Sequence, residues 1–432
     1  MKIEFNSEEF KYISEDSSEC DSQTAFVLTS QNEKYLQNAK DNGAHSIVEI
    51  EEIGKLFGID RVKIIGITGT NGKTTTASAI YSFLLDLGFK VALQGTRGFF
   101  MNDKVIESKS LTTPSVLNTY KHIYQALSDG CEYFIMEVSS HAIVQKRVEG
   151  LNFDLKILTN ITQDHLDYHN TIEEYTNVKN SFFQDESKKL INKDEPRAKF
   201  NIKNTFTYGV ENPATYKVMA YSLNDGISGI MQNFQNTQTF ISPMYGFFNL
   251  YNLTCAIAAV SIVTKKPLEE ICEEVGNFAG VAGRMEIVSE KPLVIVDFAH
   301  TPDGMAQVLN ALSNKEIRVV FGAGGDRDRS KRALMGQVAI NLAKHVYITS
   351  DNPRFEDPDD IIKDILEGID DESNVYVNPN RKETITKALS DMVDGEIVLI
   401  LGKGDEVEQV IYDRKLPFDD RVIVRKLLSE QT

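Results

Sequence analysis

Three stretches of this chain carry residue types able to work on an anion. The first, residues 66–76, reads Gly-Ile-Thr-Gly-Thr-Asn-Gly-Lys-Thr-Thr-Thr and lies between an apolar run at 62–65 and an amphipathic segment at 77–87. That order predicts a strand, a phosphate loop and a helix. Gly66, Gly69 and Gly72 allow a tight turn with inward-facing N–H groups, and the helix start adds its positive end. Lys73 is then placed for the β- and γ-phosphates and the Thr74 hydroxyl for Mg²⁺, so a nucleoside triphosphate is the implied ligand. Ile67 stands where the strict pattern has its first glycine, and the reading takes Gly66 as that glycine displaced by one place. A glycine-rich turn that binds nothing is the plainer alternative, and the flanking elements with Lys-Thr in place argue against it.

The second stretch lies beyond the carboxyl ends of further predicted strands, where ligands sit in parallel sheets. Glu137 ends the apolar run 133–138 and is a candidate Mg²⁺ ligand, because that ion favours hard oxygen donors; helix capping is the duller role. Residues 164–169, Asp-His-Leu-Asp-Tyr-His, gather two acids and two of the seven histidines, which suits a metal or phosphate site as well as a capped loop. Lys179 falls in a helical pattern at 172–183, where residue physics alone reads a solvated lysine.

The third stretch is a set of loops in the last third of the chain. Residues 322–332 pack four arginine or lysine side chains into eleven residues, 351–354 read Asp-Asn-Pro-Arg, and 402–406 read Gly-Lys-Gly-Asp-Glu. All three follow predicted strands and are expected at one sheet edge. Arginine forks match carboxylates and a glutamate can take an ammonium group, so such a site suits a zwitterion with more than one carboxylate.

These residues need elements to hold them, and the pattern supplies an α/β chain. Strand and helix signals alternate from 62 to about 200, residues 200–245 read as antiparallel strands, 246–263 as a core helix, and a second α/β alternation starts after 285. At 432 residues the chain is expected to form three domains: 1–60, 61–284 and 285–432. Hydrophobic residues at 41% and charged residues at 25% are near the globular average. No signal-like or long apolar run is visible, so a cytoplasmic protein is expected. The four cysteines lack metal-ligand spacing and read as reduced core positions. A net charge of −17 argues against nucleic acid and anionic membranes as partners and favours small-molecule chemistry.

Taken in order, Gly-Thr-Asn-Gly-Lys-Thr-Thr (69–75), Glu-Val-Ser-Ser-His (137–141), Asp-His-Leu-Asp-Tyr-His (164–169), Gly-Arg-Met-Glu (283–286), Asp-Phe-Ala-His-Thr-Pro-Asp (297–303) and Asp-Asn-Pro-Arg (351–354) resemble the Mur ligases of peptidoglycan synthesis. The match runs from about 62 to 410. It is nearest the MurE type, in the form that takes meso-diaminopimelate. The resemblance implies a small N-terminal UDP-sugar-binding domain, a central ATP-binding domain with a mainly parallel sheet, and a C-terminal Rossmann-like domain for the amino acid, in a monomer. It implies that ATP phosphorylates the D-glutamate carboxylate of UDP-N-acetylmuramoyl-L-alanyl-D-glutamate, and that the amine of meso-2,6-diaminopimelate attacks the acyl phosphate.

By the same resemblance Gly69, Thr70, Asn71, Gly72, Lys73, Thr74, Thr75, Asn249, Asn252, Arg284 and Asp297 surround ATP. Thr74, Glu137 and His165 bind Mg²⁺, and Lys179 does so as a carbamate formed with CO₂. Lys73, Lys179, His165 and Glu137 form the catalytic set. Ser17, Thr112, Thr113, Ser139, Gln145 and Arg147 match positions for the UDP-sugar dipeptide. Arg327, Asp351, Asn352, Pro353, Arg354, Gly402 and Glu406 match the diaminopimelate site.

Two departures stand out. The family's Asp-Ser-Arg is Asp16-Ser17-Ser18 here, in an abbreviated N-terminal domain, and its Gly-Lys-Gly-His-Glu has Asp405 in place of histidine. Two rival readings remain at this stage: a folylpolyglutamate synthase-like ligase, against which Asp-Asn-Pro-Arg argues, and a nucleotide-dependent switch that makes no bond.

Overall fold

The computed structural model describes residues 2–5, 9–108, 111–224, 226–234 and 236–430. Three large sheets follow one another along the chain, with a two-stranded ribbon of Glu408–Ile411 and Arg414–Pro417 after them. A four-stranded sheet near the N-terminus is ordered Lys2–Glu4, Tyr12–Ser14, Thr24–Leu28, Ser46–Glu49. An eleven-stranded sheet follows. Its parallel middle runs in space as Lys189–Asn192, Leu155–Leu158, Lys63–Thr68, Tyr133–Glu137 and Val91–Gly95. The last large sheet has six strands: Glu286–Glu290, Leu293–Asp297, Glu396–Leu401, Glu316–Phe321, His345–Ile348 and Val375–Val377, all parallel except the first pairing.

The middle strands are buried apart from Lys63 at one end. Residues 133–136 read as an unbroken apolar run and Leu155–Leu158 is buried throughout, Lys156 included, as expected where helices cover both faces of a parallel sheet. The helix Phe247–Thr264 packs against Lys73–Asp86 on one face and is apolar nearly all round. By length and composition it meets the criterion for a membrane span, but 72% of it is buried inside the protein. The region 200–245 differs from the all-antiparallel expectation: Thr205–Gly209 pairs parallel with both neighbours, and only the outer strands Tyr216–Ser222, Ile227–Gln232 and Thr237–Ser242 form a meander.

The N-terminal sheet does not close a core of its own size. Ile13, Val27, Ile53 and Phe57 belong to one apolar cluster with Leu117, Tyr120, Phe134 and Ile191 of the central unit. Burying a side chain such as Phe57 stabilises by roughly 1.5–3 kcal/mol, so this shared cluster outweighs the three buried residues Cys20, Phe26 and Ala39 that the N-terminal unit packs alone. The last large sheet has separate clusters on its two faces, around Ile295, Val319 and Leu399 on one and Val296, Val320 and Ile400 on the other.

Candidate active site

The phosphate loop lies between the strand Lys63–Thr68 and the helix Lys73–Asp86. Gly69 has φ 152° and Gly72 has φ 81°. A Cβ on Gly69 would stand 1.8 Å from Thr159 Oγ1, and one on Gly72 2.3 Å from Asn252 Oδ1, so both turns require glycine. Gly66 does not belong to the loop, which corrects the sequence reading. It lies inside the strand, where a Cβ would come within 2.5 Å of the Phe153 ring. The chain has a glycine at 66 for packing, and Ile67 is a buried strand residue.

Without a nucleotide, the loop's charged groups rest on the protein. Lys73 Nζ donates to the carbonyls of Gly69 at 2.7 Å and Thr70 at 2.8 Å. Lys179, buried at 1% exposure, donates to the same Gly69 carbonyl at 2.9 Å and lies 4.7 Å from the Tyr175 ring centroid. Burial, and next the Lys73 charge, hold the Lys179 amine well below the ordinary lysine range. Thr70 Oγ1 meets Tyr175 Oη at 3.0 Å, Asn71 N–H donates to Asn160 Oδ1 at 2.8 Å, and Thr75 is buried.

Glu137 does not cap a helix: Ser139 caps the helix Ser140–Val144. The Glu137 carboxylate accepts from Thr74 Oγ1 at 2.9 Å and from the Thr96 N–H at 3.0 Å. A hydroxyl and a carboxylate oxygen side by side at a phosphate loop are the hard donors Mg²⁺ uses when phosphates and water complete its shell, so this pair fits the ion. The other two expected metal positions lie apart. Among the described residues no hydrogen bond or ion pair joins His165 or Lys179 to Glu137, and no three His, Cys, Asp or Glu side chains converge as a metal cage. His165 adopts φ 53° and pairs with Asp164 at 3.3 Å, and burial pushes its imidazole down to about 4.

On the helix Phe247–Thr264, Asn252 donates to Asn249 Oδ1 at 3.0 Å and faces Gly72 and Thr76. Arg284 lies 4.3 Å above the Phe298 ring. Asp297 accepts the N–H groups of Met285 and Ala299, both at 2.7 Å, and burial, against Arg284, raises its pKa.

A cavity of about 420 Å³ opens between the central and C-terminal units. Its central wall carries Thr112, Thr113, Ser139, Arg147, Asp164 and His165; its C-terminal wall carries Arg327, Lys331, Asp351, Asn352, Arg354 and Glu406, with Gly402 and His300. Gln145 and Pro353 lie behind the lining. Gln145 accepts from Arg147 Nε at 3.0 Å, which aims the guanidinium, and the Pro353 carbonyl packs on Gly325. Ser17 is outside it, buried in the N-terminal unit and accepting from Asn38 at 3.1 Å, while Asp16 serves as a turn cap for the Ser18 N–H.

The basic run 322–332 divides. Arg332, fully buried, and Arg329 are bound to Glu356 and Asp364, so they brace the loop rather than face a ligand. Arg327 and Lys331 have no such partner among the described residues and line the cavity. Arg354 reaches the Gly325 carbonyl at 2.6 Å; burial, then repulsion from Arg327, lowers its pKa. Two guanidinium groups that repel one another on one wall of a cavity suit carboxylates.

Sequence reasoning missed several participants. Lys403 is fully buried and donates to Asn352 Oδ1 at 3.1 Å and Glu406 Oε2 at 3.0 Å, fixing both. Its position within Gly-Lys-Gly was the available signal. Thr96 holds Glu137, and nothing in its local sequence marks it. Asp405 forms an ion pair with Arg97 of the central unit at 3.3 Å.

A phosphate loop on one unit, and a cavity between that unit and the arginine-bearing wall of another, define a phosphate-loop protein with a second candidate binding site. Comparison with known proteins narrows the class. A family model for the Mur ligase middle domain matches residues 67–260, and one described as Mur ligase, glutamate ligase domain, matches 283–404. A UDP-N-acetylmuramoyl-L-alanyl-D-glutamate--2,6-diaminopimelate ligase of Wolinella succinogenes is 52% identical over 430 residues, covering 100% of this chain and 99% of the relative. The ligase of that name from Helicobacter pylori is 51% identical over 408 residues, covering 93% and 91%. A solved structure of such a ligase superposes with a TM-score of 0.68 at 30% identity, over 97% of this chain and 94% of its own. A Mycobacterium tuberculosis folylpolyglutamate synthase shares the fold at a TM-score of 0.67, with 17% identity over 82% and 91%. This chain belongs to the Mur ligase family, and its three-sheet α/β architecture is that of the family.

Proposed function

We propose that this enzyme joins meso-2,6-diaminopimelate to UDP-N-acetylmuramoyl-L-alanyl-D-glutamate at the expense of ATP, as the names of its relatives indicate for them. The observation that carries the substrate reading is the C-terminal wall of the cavity, where Arg327 and Arg354 stand near the Lys403-fixed pair Asn352 and Glu406. Diaminopimelate has two carboxylates and two amines, whereas lysine lacks the carboxylate that a second arginine would bind. In this reading residues 1–60 take the UDP-sugar, 61–284 bind ATP and 285–432 bind the amino acid, in a cytoplasmic monomer.

The residues divide the work as follows. The loop N–H groups from Gly69 to Thr75, with Lys73, hold the β- and γ-phosphates. Asn249, Asn252, Arg284 and Asp297 surround the nucleoside. Thr113, Ser139 and Arg147 hold the dipeptide so that its terminal carboxylate lies near the γ-phosphate, converting a bimolecular step into a local one. Mg²⁺ bound by Thr74 and Glu137 would neutralise phosphate charge and polarise the transferred group. Glu406 orients the attacking amine. Lys179 has the buried, readily neutralised amine that carbamate formation with CO₂ requires, and His165, neutral at physiological pH, stands beside it as the other group proposed for a second ion.

The test is ATP-dependent ligation with the UDP-sugar dipeptide, offering meso-diaminopimelate and L-lysine separately and following product by mass. Product with diaminopimelate alone is expected. Preference for lysine would remove the two-arginine argument, and no product with either would return the folate-type ligase and the non-ligating switch to consideration.

A further inference from the structure

Lys331 occupies the first turn of the helix Ser330–Leu342, half-buried, and among the described residues it makes no hydrogen bond or ion pair. It lines the large interdomain cavity beside Asp164, His165 and His300. It also lines a narrow cleft of about 210 Å³ together with Gln163, Asp164, Asp303 and Asp328. That cleft leads to the phosphate loop, because Asp303 Oδ2 accepts from Asn71 Nδ2 at 2.9 Å and from Thr162 Oγ1 at 3.2 Å. Lys331 therefore stands where the acceptor cavity meets the loop that holds ATP. Arg327 and Arg354 serve the far side of the same wall.

Asp164 marks the same point. Apart from burial, which opposes its ionisation, the charges acting on it are His165, His300, Lys331 and Lys73, two from each unit. Lys73 of the central unit and Lys331 of the C-terminal unit thus approach one place from two domains, among the carboxylates of Asp164, Asp303 and Asp328.

We propose that Lys331 is a catalytic residue that binds the phosphoryl group from the acceptor side as it passes from ATP to the substrate carboxylate. The inference rests on the ligase reading above. In the transfer, a carboxylate oxygen forms the new O–P bond while the P–O bond to ADP breaks and its electron pair leaves on ADP; no proton moves. In the second step the neutral amine forms the C–N bond, the C–O bond breaks with its pair on inorganic phosphate, and the nitrogen releases one proton. Lys331 contributes fixed charge to the phosphoryl oxygens in both steps and exchanges no proton. Lys73 faces the same group from the ATP side, so the migrating phosphorus lies between two lysines of different domains. Because Lys331 belongs to the C-terminal unit, phosphoryl transfer depends on that unit being closed.

The test compares Lys331→Met and Lys331→Arg with the unchanged enzyme in two assays: amide formation, and acyl phosphate formation without diamino acid, read as hydroxamate after hydroxylamine trapping. Lys331→Met is expected to lose about a hundredfold or more in kcat in both, with KM for diaminopimelate within about threefold, and Lys331→Arg to recover at least about tenfold of that loss. Acyl phosphate formed by Lys331→Met at the unchanged rate overturns the proposal, as does a raised KM for diaminopimelate with kcat intact. Unchanged thermal unfolding of the arginine variant separates misfolding from lost chemistry. Failure of the unchanged enzyme to make amide would instead overturn the ligase reading itself.

Discussion

The two sides of the site, the phosphate loop and the C-terminal wall of the cavity, manage charge in opposite ways. On the phosphate-loop side the charged groups rest on the protein: Lys73 and Lys179 share the Gly69 carbonyl, and Glu137 takes Thr74 and Thr96. On the C-terminal side Arg327 and Lys331 are unpartnered among the described residues, and Arg354 reaches only a carbonyl. The first side balances its charges through contacts within the protein. The second carries cations that, among the described residues, face nearby carboxylates without forming ion pairs, so its energetics appear in binding and closure more than in stability.

The most damaging way to break the first side is Lys73→Met, which leaves the phosphates without their nearest cation. It is expected to lower kcat/KM by roughly 10³-fold or more with little change in unfolding temperature, measured by phosphate release. Breaking the second side should look different. Arg354→Ala is expected to raise KM for diaminopimelate by about 10–100-fold, the range of one or two charge-assisted hydrogen bonds, while hydroxamate formed without diamino acid stays unchanged. A fall in acyl phosphate formation would erase the distinction between the two sides.

The brace behind the second side should register in stability instead. Glu356 is held down to about 2, chiefly by its hydrogen bond to Arg332. A carboxylate with a depressed folded-state pKa contributes stability that is fully present above its unfolded value, near 4.5, and is lost as pH falls through about 2. Glu356→Gln is expected to destabilise by roughly 1–3 kcal/mol at pH 7 and to flatten that acid limb in denaturant titrations. The smallest effect is expected for Arg97→Ala. It removes a half-exposed interdomain pair with Asp405, worth about 1 kcal/mol or less, so small-angle scattering with all ligands bound should still show the closed form.

Contiguous features were readable from sequence. The loop 69–75 carries its glycines, lysine and threonines in one run, and the burial of residues 133–136 follows from their unbroken apolar character. Gly66 was misassigned because the reason for it, Phe153, lies 87 residues away in sequence and next to it in space. In the run 322–332 nothing local distinguishes Arg327 and Lys331, which face the cavity, from Arg329 and Arg332, whose carboxylate partners come from a later helix and loop. Lys179 shows the same limit. Its helical spacing suits a solvated side chain, and its burial depends on the loop it packs beneath. Spacing reports which face a residue takes, while its partner is set by tertiary packing.

The apolar cluster shared by the N-terminal and central units joins the two into one packed body. With Phe57 and Tyr120 in one packed mass, the first two sheets share an apolar core, whereas the stretch between the helix Leu268–Glu274 and the strand Glu286–Glu290 leads to a sheet with its own clusters. In the proposed reading, a substrate spanning the first two units would lie on that body, with the span from sugar to reacting carboxylate set like the gap of a caliper.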